Sequence, residues 1–512
     1  MTSSPTGRDA GSETRTALLL VLALSVVRMV ALFATPLELY PDEAQYWLWS
    51  RTLDFGYYSK PPVIAWAIWA TTALGGDAEA WVRLSATLFQ AGATLAVFLI
   101  GRRLYGPPTG LAAAALYALM PGVQLSALVA ATDAPLLMFL GLTILAYVEL
   151  LEAGGRRRLG LAAAMGAALG LAFLSKYAAV YALIGLAIHL AVSRRARAAW
   201  APASALAAVL ALGAVLAPNL AWNASHHFAT FQHTASNAAW NGVQLFNLAA
   251  LGAFVGSQFG VFGPIPLGAL LVGVFLAARR RRLPDADLTL LCFTLPPLLI
   301  VTAQAFISRA NANWSGAGYL AGSILAAAWL VRWRARRWLT AAVAMQGAVA
   351  AFFLAAVISP ALADRVGLAN GLKRARGWSQ TADLILDRAA REPGLTAIAV
   401  NNRFLFYSTA YYGRDRFAQG APSLTSWLLM EGPRNQAETA APLTPAIGGR
   451  VLMVSYEGWR RAEMEADFAR AGGLEIGSVR LDRKHRRKIE MFVGEGFAPR
   501  PRGPGGPEPA QP

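Results

Sequence analysis

Asp42 and Glu43 are neighbours in the stretch LYPDEAQYWLWSRTLDFGYYSKPPVIAW, residues 39–66, and Lys60 follows them among clustered aromatic side chains. Further along, Asp133, Lys176 and Arg309 each stand at or near the end of an apolar run. Two carboxylate positions with several cations suit group transfer from a phosphate. The cations neutralise charge that grows on the phosphate as its bond to the transferred group breaks. One carboxylate takes the proton of an attacking hydroxyl. The other orients the acceptor or holds a divalent cation through its oxygens. A divalent metal is thus a candidate cofactor, with Asp42 and Asp133 as its candidate ligands, and no other cofactor is indicated.

Ionisable groups at membrane depth are costly and tend to face cavities or substrate paths. Lys176 and Arg309 also read as snorkelling span ends, a reading that the short stems of Asp42, Glu43 and Asp133 fit less well. Tyr40, Tyr46, Trp47, Trp49, Tyr57 and Tyr58 fit a sugar-stacking surface and an interfacial aromatic belt equally. His226, His227 and His233 share the segment 223–242. Their spacing is weak evidence for a metal site, and an interfacial loop with at most one functional histidine is the preferred reading.

What must position these groups is a membrane domain. The chain has 512 residues, 56% hydrophobic and 15% charged, too apolar for a soluble protein of this size. Apolar runs of about 20 residues recur from 16 to 360, each able to cross a hydrocarbon core of roughly 30 Å. The net charge of +17 does not imply nucleic acid, because the arginines sit in short clusters between apolar runs, the pattern of cytoplasmic loops. Cys292 is the single cysteine, so no intrachain disulfide forms. The first apolar run, 17–34, is longer than a signal-peptide core and reads as an uncleaved span.

With residues 1–15 in the cytoplasm, the runs 16–34, 80–100, 112–131, 135–151, 159–174, 178–192, 202–222, 245–278, 288–307, 316–331 and 339–358 make about eleven spans. The shorter run 61–73, inside a first outer loop 35–79, reads as an interfacial or re-entrant helix. Every arginine cluster then falls inside, while Asp42, Glu43, Lys60, Asp133, Lys176 and Arg309 come out on the other face. The composition turns soluble after 360. An amphipathic helix 378–391, a helix 457–471 and strands 396–400, 451–454 and 489–493 predict a small extracytoplasmic α/β domain over 361–496. Asn401, Asn402 and Arg403 follow a strand and suit contact with a polar acceptor, but a solvated loop is the preferred reading, and the Pro/Gly-rich tail 497–512 reads as disordered. The inner loops carry no phosphate-cradling glycine motif, and soluble sugar nucleotides are cytoplasmic. A donor used at the outer face is therefore membrane-borne, with a lipid phosphate as its leaving group.

PDEAQYWLWS followed by GYYSKPPVIAW resembles the first outer loop of lipid-linked sugar transferases with the GT-C fold. The likeness is to the bacterial branch related to protein O-mannosyltransferases and to the aminoarabinose transferase of lipid A. ATDAPLLMF, LSKYAAV, NLAWNASHHFATF and NANWSGAGYL extend it in order from Tyr40 to Leu320. The resemblance implies that Asp42 is the catalytic carboxylate, Glu43 its partner and Asp133 the second acidic position. It also implies that Lys60 and Lys176 serve the lipid phosphate and that His226 lies in the later outer loop. Tyr58 and Arg309 complete the candidate substrate-binding set. The implied enzyme is a polytopic bacterial inner-membrane protein whose site and C-terminal domain face the periplasm. It transfers a sugar with inversion from a polyprenyl-phosphate donor to a hydroxyl of lipid A, another lipid, a glycan or a protein. Ser59 departs from the pattern, since relatives often carry an acidic residue before Lys-Pro-Pro, and this removes one candidate metal ligand. The alternative is a transporter or flippase of lipid-linked sugars. Such proteins place charges near mid-membrane and often show repeated halves; here the charges gather at one face and no duplication is evident.

Overall fold

Proline and glycine decide where the apolar runs become helices and where they stop. The computed structural model describes residues 7–236, 240, 245–367, 369–456 and 458–503. The helix Glu79–Tyr105 ends at Gly106, whose φ of 93° carries the chain out of the helix and straight into Pro107. Pro121 and Pro264 open new helices, because proline fixes φ for a first turn and cannot continue the preceding one. The runs 112–131 and 245–278, expected as single spans, are therefore broken. Pro107–Leu119 meets Pro121–Leu128 at 60°, and Leu248–Val261 meets Pro264–Ala278 at 112°.

Among the described residues eight helices are long and apolar enough to cross a membrane, or up to ten if each bent pair counts as one span. The run 178–192, expected as a further span, is a three-residue 3-10 turn and a thirteen-residue helix, too short to meet the same length. The interfacial segment expected at 61–73 is the thirteen-residue helix Val63–Gly75.

Contacts divide the chain into two compact units. The first comprises Met1–Ala34, Asp54–Gly56 and Lys60–Ala355; the second comprises Thr35–Leu53, Tyr57–Ser59 and Ala356–Pro512.

In the first unit small residues let helix backbones approach closely, the usual device where lipid supplies no hydrophobic drive between helices. A Cβ on Gly166 would lie 2.1 Å from the Ala208 carbonyl oxygen. One end of the bundle collects the arginines that the sequence reading assigned to a common face. Arg103 pairs with Glu149 at 3.0 Å, Arg195 with Glu152 at 2.9 Å and with Asp285 at 3.0 Å, and Arg332 with Asp287 at 2.6 Å. Asp133 opens the helix whose far end carries Glu149, so it lies about 25 Å from that cluster at 1.5 Å per residue.

The second unit holds a mixed six-stranded sheet: β1 Ala397–Val400, β2 Ser423–Ser426, β3 Arg450–Ser455, β4 Phe468–Ala471, β5 Glu475–Arg480 and β6 Arg486–Phe497. Its order is β2-β1-β3-β6-β4, with β5 also on β6. β1 is parallel to β2 and β3, and β6 is antiparallel to β3, β4 and β5. β1 is buried throughout, as expected for a central parallel strand. The amphipathic helix is Trp378–Ala390. The helix expected over 457–471 is instead a 3-10 turn, Gly458–Arg460, and a short helix, Arg461–Glu465, followed by β4; pairing with β6 overrides the helical pattern of its last residues. Of the tail expected to be disordered, residues 504–512 lie outside the described residues, as do residues 1–6 of the N-terminal segment and parts of the loop 223–242.

Gly166→Val is expected to lower the thermal unfolding midpoint, because overpacking against a fixed carbonyl costs about 1–3 kcal/mol. Gly160→Ala on the same helix, where an added Cβ meets nothing within 4 Å, is the control expected to leave the midpoint in place.

Candidate functional site

Asp133 is the first residue of the helix Asp133–Leu150, where the helix dipole favours a negative group. Its Oδ1 accepts from Lys176 Nζ at 2.9 Å, and its Oδ2 accepts from Asn313 Nδ2 at 3.2 Å. Lys176 follows the last turn of Gly155–Ser175 in an extended conformation. The pair is about one-fifth exposed on each side, so a ligand can reach it, while solvent screens it less than a surface pair. Asn313 lies in the short turn Ala312–Ser315.

In the same unit, the end of the helix Pro202–Ser225 is tied to the segment 54–56. Trp222 Nε1 donates to Asp54 Oδ2 at 2.7 Å, and Asn219 Nδ2 donates to the Phe55 carbonyl at 2.6 Å. Asn223 Nδ2 donates to Tyr177 Oη at 3.3 Å, bringing this helix end toward the residue after Lys176. His226 stacks on Trp222 with ring centroids 4.0 Å apart and planes 10° apart. His226 Nδ1 lies 2.8 Å from the Trp222 carbonyl. That contact requires the proton on Nδ1 and leaves Nε2 as an acceptor while the ring is neutral. Arg309 is exposed, and its carbonyl accepts from Gln304 Nε2 at 3.2 Å. Lys60 is half-buried.

The second unit holds the acidic pair, and its two members do different things. Pro41 and the two carboxylates begin the helix Pro41–Ser50. Glu43 is fully buried, and its Oε2 accepts from the Tyr40 backbone N–H at 2.9 Å, so it caps its own helix. Asp42 keeps 54% of its side chain exposed and meets Arg403 Nη1 at 3.2 Å. Arg403 also donates to Gln45 Oε1 at 3.0 Å, and Gln45 Nε2 lies 3.5 Å from Ser59 Oγ. Tyr58 is held at both ends: its N–H donates to Gln436 Oε1 at 2.9 Å and its hydroxyl donates to the Pro433 carbonyl at 3.2 Å.

Sequence reading missed Gln45, Asn313, Asp54 and Trp222 as members of these clusters, and it offered Arg403 as an acceptor contact without its partner Asp42. Residues 401–403 are not a solvated loop. Asn401 and Asn402 are buried, and the Asn402 side chain accepts from the Phe404 N–H at 2.8 Å, capping the helix Arg403–Tyr412. An Asn before an apolar run is an N-cap signal and could have revealed that helix, though not its partner. Trp222 and Asn313 lie inside segments already singled out, but nothing in their spacing announces the contacts they make.

Among the described residues no three His, Cys, Asp or Glu side chains gather as metal ligands. Asp42 and Asp133 each face a cationic side chain instead. The described residues do not form a ready donor set for a divalent ion.

Residues 59–222 match the family described as dolichyl-phosphate-mannose-protein mannosyltransferase. The lipid A galacturonosyltransferase RgtD of Rhizobium johnstonii is 37% identical over 450 residues, covering 86% of this chain and 91% of that protein. The undecaprenyl phosphate-alpha-4-amino-4-deoxy-L-arabinose arabinosyl transferase of Pseudomonas aeruginosa is 30% identical over 175 residues, 30% of this chain and 32% of that one. ArnT from Cupriavidus metallidurans, in its crystal structure bound to undecaprenyl phosphate, superimposes with a TM-score of 0.62 over 93% of this chain and 97% of its own. At 16% identity that likeness is one of fold. The chain belongs to the family of membrane glycosyltransferases with the GT-C fold that use lipid-phosphate-linked sugars. It is an enzyme, and a multi-pass protein of the inner membrane.

A Cβ on Gly56 would lie 2.3 Å from the Trp222 ring, so Gly56→Ala must push the indole away from Asp54 and carry His226 with it. Sugar transfer by the purified variant is expected to fall about 10-fold or more, the scale of a small misplacement of positioning groups. Unchanged transfer, measured beside a normal unfolding curve, would remove this segment from the site.

Proposed function

We propose that this enzyme transfers a hexuronic acid, galacturonic acid above all, from a polyprenyl phosphate to a hydroxyl of lipid A at the periplasmic face, inverting the anomeric centre. The likeness to RgtD along nearly the whole length of both proteins carries the choice of sugar and acceptor. The separation of the Asp133–Lys176 pair from the arginine-rich end of the bundle supports the outer face, because cationic loops stay in the cytoplasm.

Asp42 takes the proton of the acceptor hydroxyl. As that O–H bond breaks, the acceptor oxygen bonds to C1 of the sugar, and the bond from C1 to the phosphate oxygen breaks with its electron pair. The polyprenyl phosphate leaves with one more negative charge than it carried as a diester. Lys60 and Lys176 are the cations proposed to neutralise that charge, with Asp133 and Asn313 fixing the Lys176 ammonium. Glu43 stays out of the chemistry and keeps the Asp42 turn in shape. Tyr58 and His226 offer ring surface and hydrogen-bonding groups to the sugar, and exposed Arg309 meets anionic groups of lipid or acceptor.

Asp42→Asn is expected to lower kcat about 10²–10⁴-fold, the usual contribution of a general base, with insertion and folding retained. Full activity in that variant would remove Asp42 from the mechanism. Orientation has its own test. Alkaline phosphatase fused after Ile358 is expected to be active, and an inactive fusion of normal abundance would reverse the assigned face.

A further inference from the structure

We infer that Arg403, held in place by Gln45, reads the carboxylate of the transferred sugar and so selects an anionic sugar over a neutral one. This rests on the hexuronic acid reading above and adds the residues that enforce it.

Arg403 stands beside the proposed base, with Nη1 3.2 Å from Asp42 Oδ1. Charge-assisted N–H···O contacts usually run about 2.7–2.9 Å and are often bidentate in arginine–carboxylate pairs. This contact is longer and is made through one nitrogen, a geometry that a tighter oxyanion can displace or share. The guanidinium is held in place all the same. It lies 4.7 Å from the centroid of the Phe404 ring and donates to Gln45 Oε1 at 3.0 Å. With its oxygen turned to the guanidinium, Gln45 presents its NH2 on the other side, toward Ser59 Oγ at 3.5 Å. Gln45 and Ser59 are both buried, so the guanidinium is the donor of this cluster that a ligand meets. The cluster's one exposed carboxylate is Asp42, since Glu43 is buried in its cap. The Arg403 side chain is 25% exposed, so a ligand can reach it.

Stereochemistry excludes the departing phosphate as the anion it meets. In an inverting displacement the attacking oxygen and the leaving phosphate lie on opposite faces of C1. Asp42 serves the attacking oxygen, so a cation 3.2 Å from Asp42 stands on the side of attack, away from the departing phosphate. The anions within its reach on that side belong to the sugar ring or to the acceptor, and a comparison of donors on one acceptor isolates the first. A planar guanidinium fits a carboxylate better than it fits a hydroxymethyl group, and an amino sugar would be repelled there.

The test compares polyprenyl-phosphate galacturonic acid with polyprenyl-phosphate galactose as donors, one lipid A acceptor being used throughout. Wild type, Arg403→Gln and Arg403→Lys are purified and checked for folding. Wild type is expected to favour the uronyl donor in kcat/KM. In Arg403→Gln the uronyl-to-galactosyl ratio is expected to fall about 10- to 100-fold, the scale of a lost charge-assisted hydrogen bond. Arg403→Lys, which keeps the charge without the fork, is expected to fall between the two and decides the matter if Arg403→Gln does not fold. A variant that loses both donors equally, or keeps the wild-type ratio, would overturn the assignment and leave Arg403 as a positioning residue for Asp42. Failure of the wild type itself to prefer the uronyl donor would instead overturn the hexuronic acid reading.

Discussion

A carboxylate enclosed in an apolar protein is expensive unless positive charge meets it, and that constraint binds Asp133 tightly and the more exposed Asp42 loosely. Asp42 and Asp133 each lie in the first turn of a helix, where the backbone N–H groups favour negative charge. Each also faces a cation: Arg403 at 3.2 Å for Asp42 and Lys176 at 2.9 Å for Asp133. The two pairs differ in exposure. Asp133 is mostly enclosed and doubly held, by Lys176 and Asn313, which suits a fixed charge that orients a lysine. Asp42 is more than half exposed and loosely paired, which suits a group that must exchange its partner for a substrate proton.

The second unit also joins segments that are far apart in sequence. The Trp378 and Ser379 N–H groups donate to the Glu38 carboxylate, the Leu39 N–H donates to the Tyr412 hydroxyl at 2.7 Å, and the Trp47 and Tyr411 rings meet edge to face at 4.9 Å. The helix carrying Asp42 is thus packed against residues more than 300 positions later in the chain. A domain that looks like an appendage in composition helps to build the turn that holds the proposed base, and it supplies the arginine beside that base.

Much of this was legible beforehand, for physical reasons. Long apolar runs and their arginine flanks mark helices of a bundle, because lipid tolerates little else. The short range of charged groups singles out Asp42, Asp133 and Lys176. The breaks at Pro121 and Pro264 were readable and were passed over, because mean hydropathy is blind to a missing N–H. The segment 457–471 misled through its helical spacing, which lost to pairing with β6. Neither Arg403–Asp42 nor Trp222–Asp54 leaves a trace in sequence, since each joins positions more than 160 apart. The adjacency of Asp42 and Glu43 suggested a working pair, whereas a carboxylate at the third position of a helix is as much a capping signal.

The role proposed for Asp42 is to act on the acceptor's proton and never on the sugar carbon. The anomeric configuration of the product decides this most directly. Purified enzyme is given a polyprenyl-phosphate galacturonic acid of known anomeric form and a lipid A acceptor, and the new linkage is read by NMR. The opposite anomer is the expected result. The same anomer, with normal turnover, would mean a covalent sugar–enzyme step and would contradict the role given to Asp42.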